Sequence, residues 1–145
     1  MAVSKLKVRV AMMAALKASD GVTALIDKAA IYPGTVPATR PTEFARFGTF
    51  IASPFAMSGL RSASYRVSVQ AFSHDLVDGA GTVTKPAEDN VHDMGGAIEA
   101  ALDGTTLDLG DLKLRLEWLQ TLATPDPTEA SAWMVTTTFT GDVAG

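Results

Sequence analysis

Three short stretches of this chain alternate apolar and polar residues with a period of two, and nothing else in it constrains the fold as much. Leu112, Leu114, Leu116 and Trp118 alternate with Lys113, Arg115 and Glu117. Tyr65, Val67, Val69 and Ala71 alternate with Arg66, Ser68 and Gln70, while Phe72 breaks the rule on the polar face. Trp133, Val135, Thr137 and Phe139 share one face, with Met134, Thr136 and Thr138 on the other. Successive side chains of a strand point to opposite faces, so each stretch reads as a half-buried strand. One-sided burial is the habit of antiparallel sheets, whose covered face needs helices upon it.

Two segments supply the helices. Val3, Leu6, Val10 and Met13 recur at three- and four-residue spacing, predicting a first helix over about Ala2 to Ala18. It ends near Asp20-Gly21, and a helical turn follows through Val22, Leu25 and Ile26. Val91, Met94, Ile98 and Leu102 form the apolar stripe of a second long helix. Pro86 suits its first turn, Glu88 and Asp89 complement the positive end of its dipole, and Gly104 stands where a left-handed cap belongs. Gly95 and Gly96 inside it each cost on the order of 1 kcal/mol relative to alanine. They predict close approach by a sheet or a neighbouring subunit.

The remaining segments read as connectors and further strands. Ile31-Tyr32 is a brief strand, and residues 33–43, with three prolines, are a loop. Phe44 to Ser53 is a strand weakened or bulged at Gly48; Ser53 to Gly59 turns the chain into a strand over Arg61 to Ser73. Asp78-Gly79-Ala80-Gly81 is a loop, and Pro125-Asp126-Pro127 turns the final hairpin. The expectation is an α+β fold in α-β-β-α-β-β order. It has an antiparallel sheet of about four to five strands, two main helices on one face, and one domain over residues 1–145.

Several function classes fall away on composition. The chain has no cysteine, so disulfides and thiolate metal sites are excluded. A net charge of −4 gives no basic surface for phosphates. No apolar run approaches the roughly 18 residues that a membrane helix needs. Lys5, Lys7 and Arg9 before Val10 to Leu16 loosely resemble a secretory signal, but Lys17 closes the apolar run at once and the amphipathic helix is the better reading.

Candidate chemistry is thin. His74-Asp75 and His92-Asp93 pair an imidazole with a carboxylate, the elements of acid–base or metal chemistry. Two histidines, one at a strand end and one on a helix, do not fill a ligand set. No serine sits in a Gly-x-Ser-x-Gly elbow, and Gly79-Ala80-Gly81 lacks the rest of any nucleotide-binding fingerprint. No catalytic, cofactor-binding or metal-binding residue is assigned. Trp118 and Trp133 are read as core aromatics, with an interface role as the alternative.

Charge is unevenly spread. Nine of the 16 acidic residues lie between Asp75 and Asp111 alongside one base, Lys85, whereas the first 17 residues carry four bases and no acid. The two helices could neutralise each other within one subunit. Alternatively, a basic surface around Lys5 and Arg9 meets an acidic one around Asp75, Asp78, Glu88, Asp89 and Asp93 on the next copy. That contact is heterologous and closes into a ring only if the rotation per copy divides a circle.

The segment YRVSVQAF at residues 65–72, the helix ending IEAALDG at 98–104 and the hairpin beginning LKLRLEW at 112–118 together resemble a known family. So do LKASDGVTALI at 16–26 and IYPG at 31–34. The chain resembles the tail-completion or tail-terminator proteins of long-tailed bacteriophages, prophages and gene-transfer agents. The resemblance implies a non-enzymatic virion protein without cofactors, made in the host cytoplasm. Copies would form a six-membered ring on the head-proximal end of the tail tube. Its partners would be itself, the tail tube protein and a head-side connector or stopper; DNA would pass through the channel without specific binding, and no membrane is involved. The alternative is a head-closure or connector-adaptor protein of the neck. A small histidine-dependent enzyme and a monomeric binding domain are the readings from other classes. The loops at 33–43 and 75–84 are expected to order upon docking, as long loops often carry partner contacts.

Overall fold

The period-two stretches pair as their pattern requires. The computed structural model describes residues 3–57, 60–110, 112–129 and 131–144. Its elements are helix α1 (Lys5–Ala18), the short helix α2 (Asp20–Thr23), a 3-10 turn (Lys28–Ala30), and strands β1 (Ile31–Tyr32), β2 (Phe44–Met57) and β3 (Leu60–His74). A small ribbon of β4 (Leu76–Val77) and β5 (Val83–Lys85) follows. Helix α3 (Ala87–Leu102) and strands β6 (Thr106–Asp108), β7 (Lys113–Pro125) and β8 (Ala132–Ala144) complete the chain. The main sheet has six strands in the order β1-β2-β3-β8-β7-β6. All its pairs are antiparallel except β1 with β2.

The α+β class and helix-backed sheet are as expected, but the strand count is not. Six strands form the main sheet, among them the brief Ile31–Tyr32 strand that was expected, and two more form the ribbon; β4, β5 and β6 are too short for periodicity to reveal. The turn expected over Ser53 to Gly59 is instead mostly strand: β2 continues to Met57 and β3 begins at Leu60, while Gly59 lies outside the described residues. Pro54 is tolerated there because that part of β2 is a sheet edge, where no ladder donor is required.

Val67, Val69 and Ala71 of β3, Val135 and Phe139 of β8, and Leu114 and Leu116 of β7 are fully buried on the helix side. Val91, Met94, Ile98 and Leu102 of α3 cover them as the stripe predicted, all inaccessible to solvent. Each such aliphatic side chain contributes about 1.5–3 kcal/mol. Helix α1 starts later than expected, because the Ser4 side chain accepts from Lys7 N and caps it; Ala2 is outside the described residues. Its buried face is also rotated from the predicted one. Val8, Met12, Met13 and Leu16 face the core, whereas Leu6 and Val10 are exposed. The helix carries apolar residues on two faces, so spacing could not choose between them.

The paired glycines of α3 separate into two roles. A Cβ on Gly95 would lie 3.0 Å from Val135 Cγ2 and 3.1 Å from Thr121 Cγ2, so the close approach is made by the sheet. A Cβ on Gly96 would meet nothing within 4 Å. Gly96→Ala is therefore expected to stabilise the protein by about 0.5–1 kcal/mol through helix propensity alone. Gly95→Leu should destabilise it by about 1–3 kcal/mol through overpacking. Thermal unfolding of both variants checks the opposite signs.

Candidate assembly surfaces

The residues singled out from charge fall on two elements of the fold and the ribbon between them: Lys5 and Arg9 on α1, and Asp75, Asp78, Glu88, Asp89 and Asp93 at the ribbon and along α3. Lys5 is exposed in the first turn of α1, and Arg9 is half-buried with its guanidinium beside Gly34. Three of the acidic candidates serve the fold. Asp75 Oδ1 accepts from Ala87 N at 2.7 Å and so caps α3, whose own preceding residue, Pro86, has no capping side chain. Asp78 Oδ1 accepts from Ala80 N at 2.9 Å and Thr82 N at 3.0 Å, shaping the turn between β4 and β5. Asp93 is paired with Lys85. Glu88 and Asp89 stay exposed in the first turn of α3. Asp111 lies outside the described residues.

The loop expected over 75–84 is a small β-ribbon whose turn is shaped by Asp78 and whose first residue, Asp75, is tied to α3. The two His-Asp pairs do not converge. His74 Nε2 lies 2.9 Å from Oε1 of Glu129 in the turn between β7 and β8, while Asp75 turns to the helix. His92 is exposed on α3 and its neighbour Asp93 is engaged by Lys85.

On the face of the sheet away from the helices, sequence reasoning missed a cation–aromatic cluster. Phe44 and Phe72 are opposite each other in the β2–β3 register, and their rings stack at 4.6 Å. Arg40 lies over Phe44 at 4.8 Å and Arg46 over Phe72 at 5.7 Å, with Arg46 Nε donating to Gln70 Oε1 at 2.9 Å. Phe72, which broke the polar alternation, belongs to this cluster. The cluster lines a shallow pocket between the proline-rich loop and the β7–β8 turn, where Val36 faces Asp126 and Thr128.

Trp118 corrects another expectation. Its backbone pairs with Phe139, yet its side chain is 48% exposed. The bulge between Trp118 and Gln120 and the margin of α3 leave it uncovered. Its indole N–H donates to Thr121 Oγ1 at 2.9 Å, and that hydroxyl donates to Glu99 Oε1 at 2.5 Å. Trp133 is half-buried against the core, nearer the predicted role.

Apolar surface gathers elsewhere too. Leu6, Val10, Ala11 and Ala14 of α1 line a groove closed by Leu109, and Leu119 and Leu122 of β7 and Ile51 of β2 are exposed. The arrangement offers surfaces for contact, and Asp75, Asp78 and Asp93 serve a cap, a turn and an ion pair.

A search of curated proteins found no match. Among solved structures, a chain from "Virion of native gene transfer agent (GTA) particle" is similar in fold, with a TM-score of 0.72 at 19% identity over 94% of both chains. The family model described as "Tail completion protein gp17" matches residues 10–139. That match runs from within α1 to within β8 and takes in the whole of α3, so the chain belongs to the tail completion protein gp17 family, structural proteins of the bacteriophage tail and virion.

Proposed function

We propose that copies of this chain form a ring, six-membered by the family resemblance, that seats on the head-proximal end of the tail tube. There it ends tube polymerisation and joins the tail to the head-side connector. The observation that carries this reading is that the family match covers the scaffold of sheet and helices rather than one local motif. A ring of head-to-tail copies needs two different surfaces on each copy. Exposed Lys5 on α1 and exposed Glu88 and Asp89 on α3 are of opposite sign and suit neighbouring copies. The net charge of −4 favours a channel through which DNA slides without being held.

Electron microscopy of particles made without this protein tests the reading. The expected result is over-long free tubes that lack heads, with normal length restored when the chain is supplied. Tails of normal length beside heads that lose their DNA would overturn it in favour of a head-closure protein.

A further inference from the structure

Open sheet edges are normally defended by charges, prolines, bulges or a covering element, because unpaired N–H and C=O groups invite another strand. The two outer strands here are covered only at diagonal corners. Strand β1 pairs with β2 at Ala45 and Arg46 alone, and β6 pairs with β7 at Lys113 to Arg115 alone. Just past β6, Leu116 N donates to Thr105 O, and Trp118 N donates to Asp103 Oδ1. Beyond those points, among the described residues, no strand pairs with the outer edge of β2 from Phe47 to Met57 or of β7 from Leu119 to Pro125.

Both open lengths lack any charged residue. Thr49, Ile51, Ala52 and Ser53 are exposed on one; Leu119, Gln120 and Leu122 are exposed on the other. Ile51 is 50% and Leu122 58% accessible, an unusual state for large aliphatics on a strand facing water. Each edge carries one bulge, and β2 has Pro54, but neither has the lysines that keep edges apart.

We propose that these two edges pair with each other between neighbouring copies, β7 of one copy with β2 of the next, so that the sheets join into one continuous antiparallel wall. The topology supplies the sense. Strands β2 with β3, β3 with β8, and β8 with β7 are each antiparallel, so β2 and β7 run in opposite directions. Repeating the copy by rotation about an axis therefore sets the next β2 antiparallel to this β7, the more favourable ladder. The open lengths sit at opposite ends of the sheet, so joined copies must stagger along the strand direction. Tilted strands in a closed sheet produce such a stagger. Strands β1 and β6 then act as stops that fix how far each neighbour slides. This rests on the ring reading above and adds which surfaces make it.

Paired cysteines test it, since the natural chain has none. Ile51 and Ser53 on β2, and Gln120 and Leu122 on β7, lie on the sheet face away from the helices. The four double variants combining one position from each strand are oxidised both as purified protein and in assembled tails. Within one copy the two positions are three strand spacings apart, about 14 Å, too far for a disulfide. The expected result is a non-reducing ladder of dimers, trimers and higher species from at least one pair, with single-cysteine variants giving dimers at most. Leu119→Lys combined with Leu122→Lys should weaken self-association by about tenfold or more while the thermal unfolding midpoint holds.

Mass measurement on the same samples separates the two levels of the claim. Several copies per tail without any ladder overturns the edge pairing and leaves the ring. A single copy per tail overturns both. Cross-links from β7 to the tube protein instead of to β2 also overturn the pairing between copies.

Discussion

Phe139→Ala is expected to cost about 3–5 kcal/mol of folding stability, a large share of the roughly 5–15 kcal/mol that a domain of this size has in total. Among the described residues, Phe139 is the largest fully buried side chain, at 0% exposure. It sits in the middle of β8, opposite Val67 on β3 and Trp118 on β7, where the two inner ladders of the sheet meet. Removing the ring loses its transfer energy and also leaves a hole. Backbone on both sides is held by strand pairing, so the site cannot collapse to fill it. Urea unfolding should show a lower midpoint with an unchanged slope. The neighbouring Thr138→Ala, on the opposite and partly wet face, should cost less than about 1 kcal/mol. Comparable losses at both positions would mean that the sheet does not have the sidedness described.

Gly48→Val should be nearly as damaging, by about 2–4 kcal/mol, combining overpacking with a lost hydrogen bond. Gly48 lies in the bulge between Phe47 and Phe50 of β2. A Cβ there would come within 2.4 Å of Ser68 Oγ and 3.1 Å of the Ser68 carbonyl oxygen. Ser68 is only 2% exposed, and its hydroxyl accepts from Thr49 N at 2.8 Å. The hydroxyl cannot turn away without abandoning that donor, and the carbonyl is part of strand β3. Adding Ser68→Gly removes the closest atom, so the double variant should recover part of the loss. A double-mutant cycle with a coupling of at least about 1 kcal/mol is the expected outcome, whereas simple additivity would show that the loss at Gly48 does not arise from the clash with Ser68. The same substitution should reduce assembly, because the bulge shapes the open part of β2.

What could be read without coordinates was whatever repeats along the chain. The α3 stripe of Val91, Met94, Ile98 and Leu102, the alternation of Leu114 and Leu116, and the left-handed Gly104 are local signals, and each was found in place. Local signals also gave the fold class, since one-sided strands need helices. Their limits appear in α1, where Leu6 and Val10 looked as buriable as Val8 and Met12. Only the position of the sheet decided between the two faces.

The same holds for function at the surface. Asp75, Asp78 and Asp93 read as parts of an acidic surface because they are close in sequence; folding also gives each a partner that sequence did not name: Ala87, the 78–82 turn and Lys85. The Phe44–Phe72 stack joins residues 28 positions apart, and the open edges of β2 and β7 exist only once the strand order is known. Sequence by itself settled the two long helices and the three strands with a clear period, because period and turn chemistry act over a few residues. Which side chains are free to meet another molecule was decided by tertiary packing, because exposure depends on neighbours that the linear order does not name.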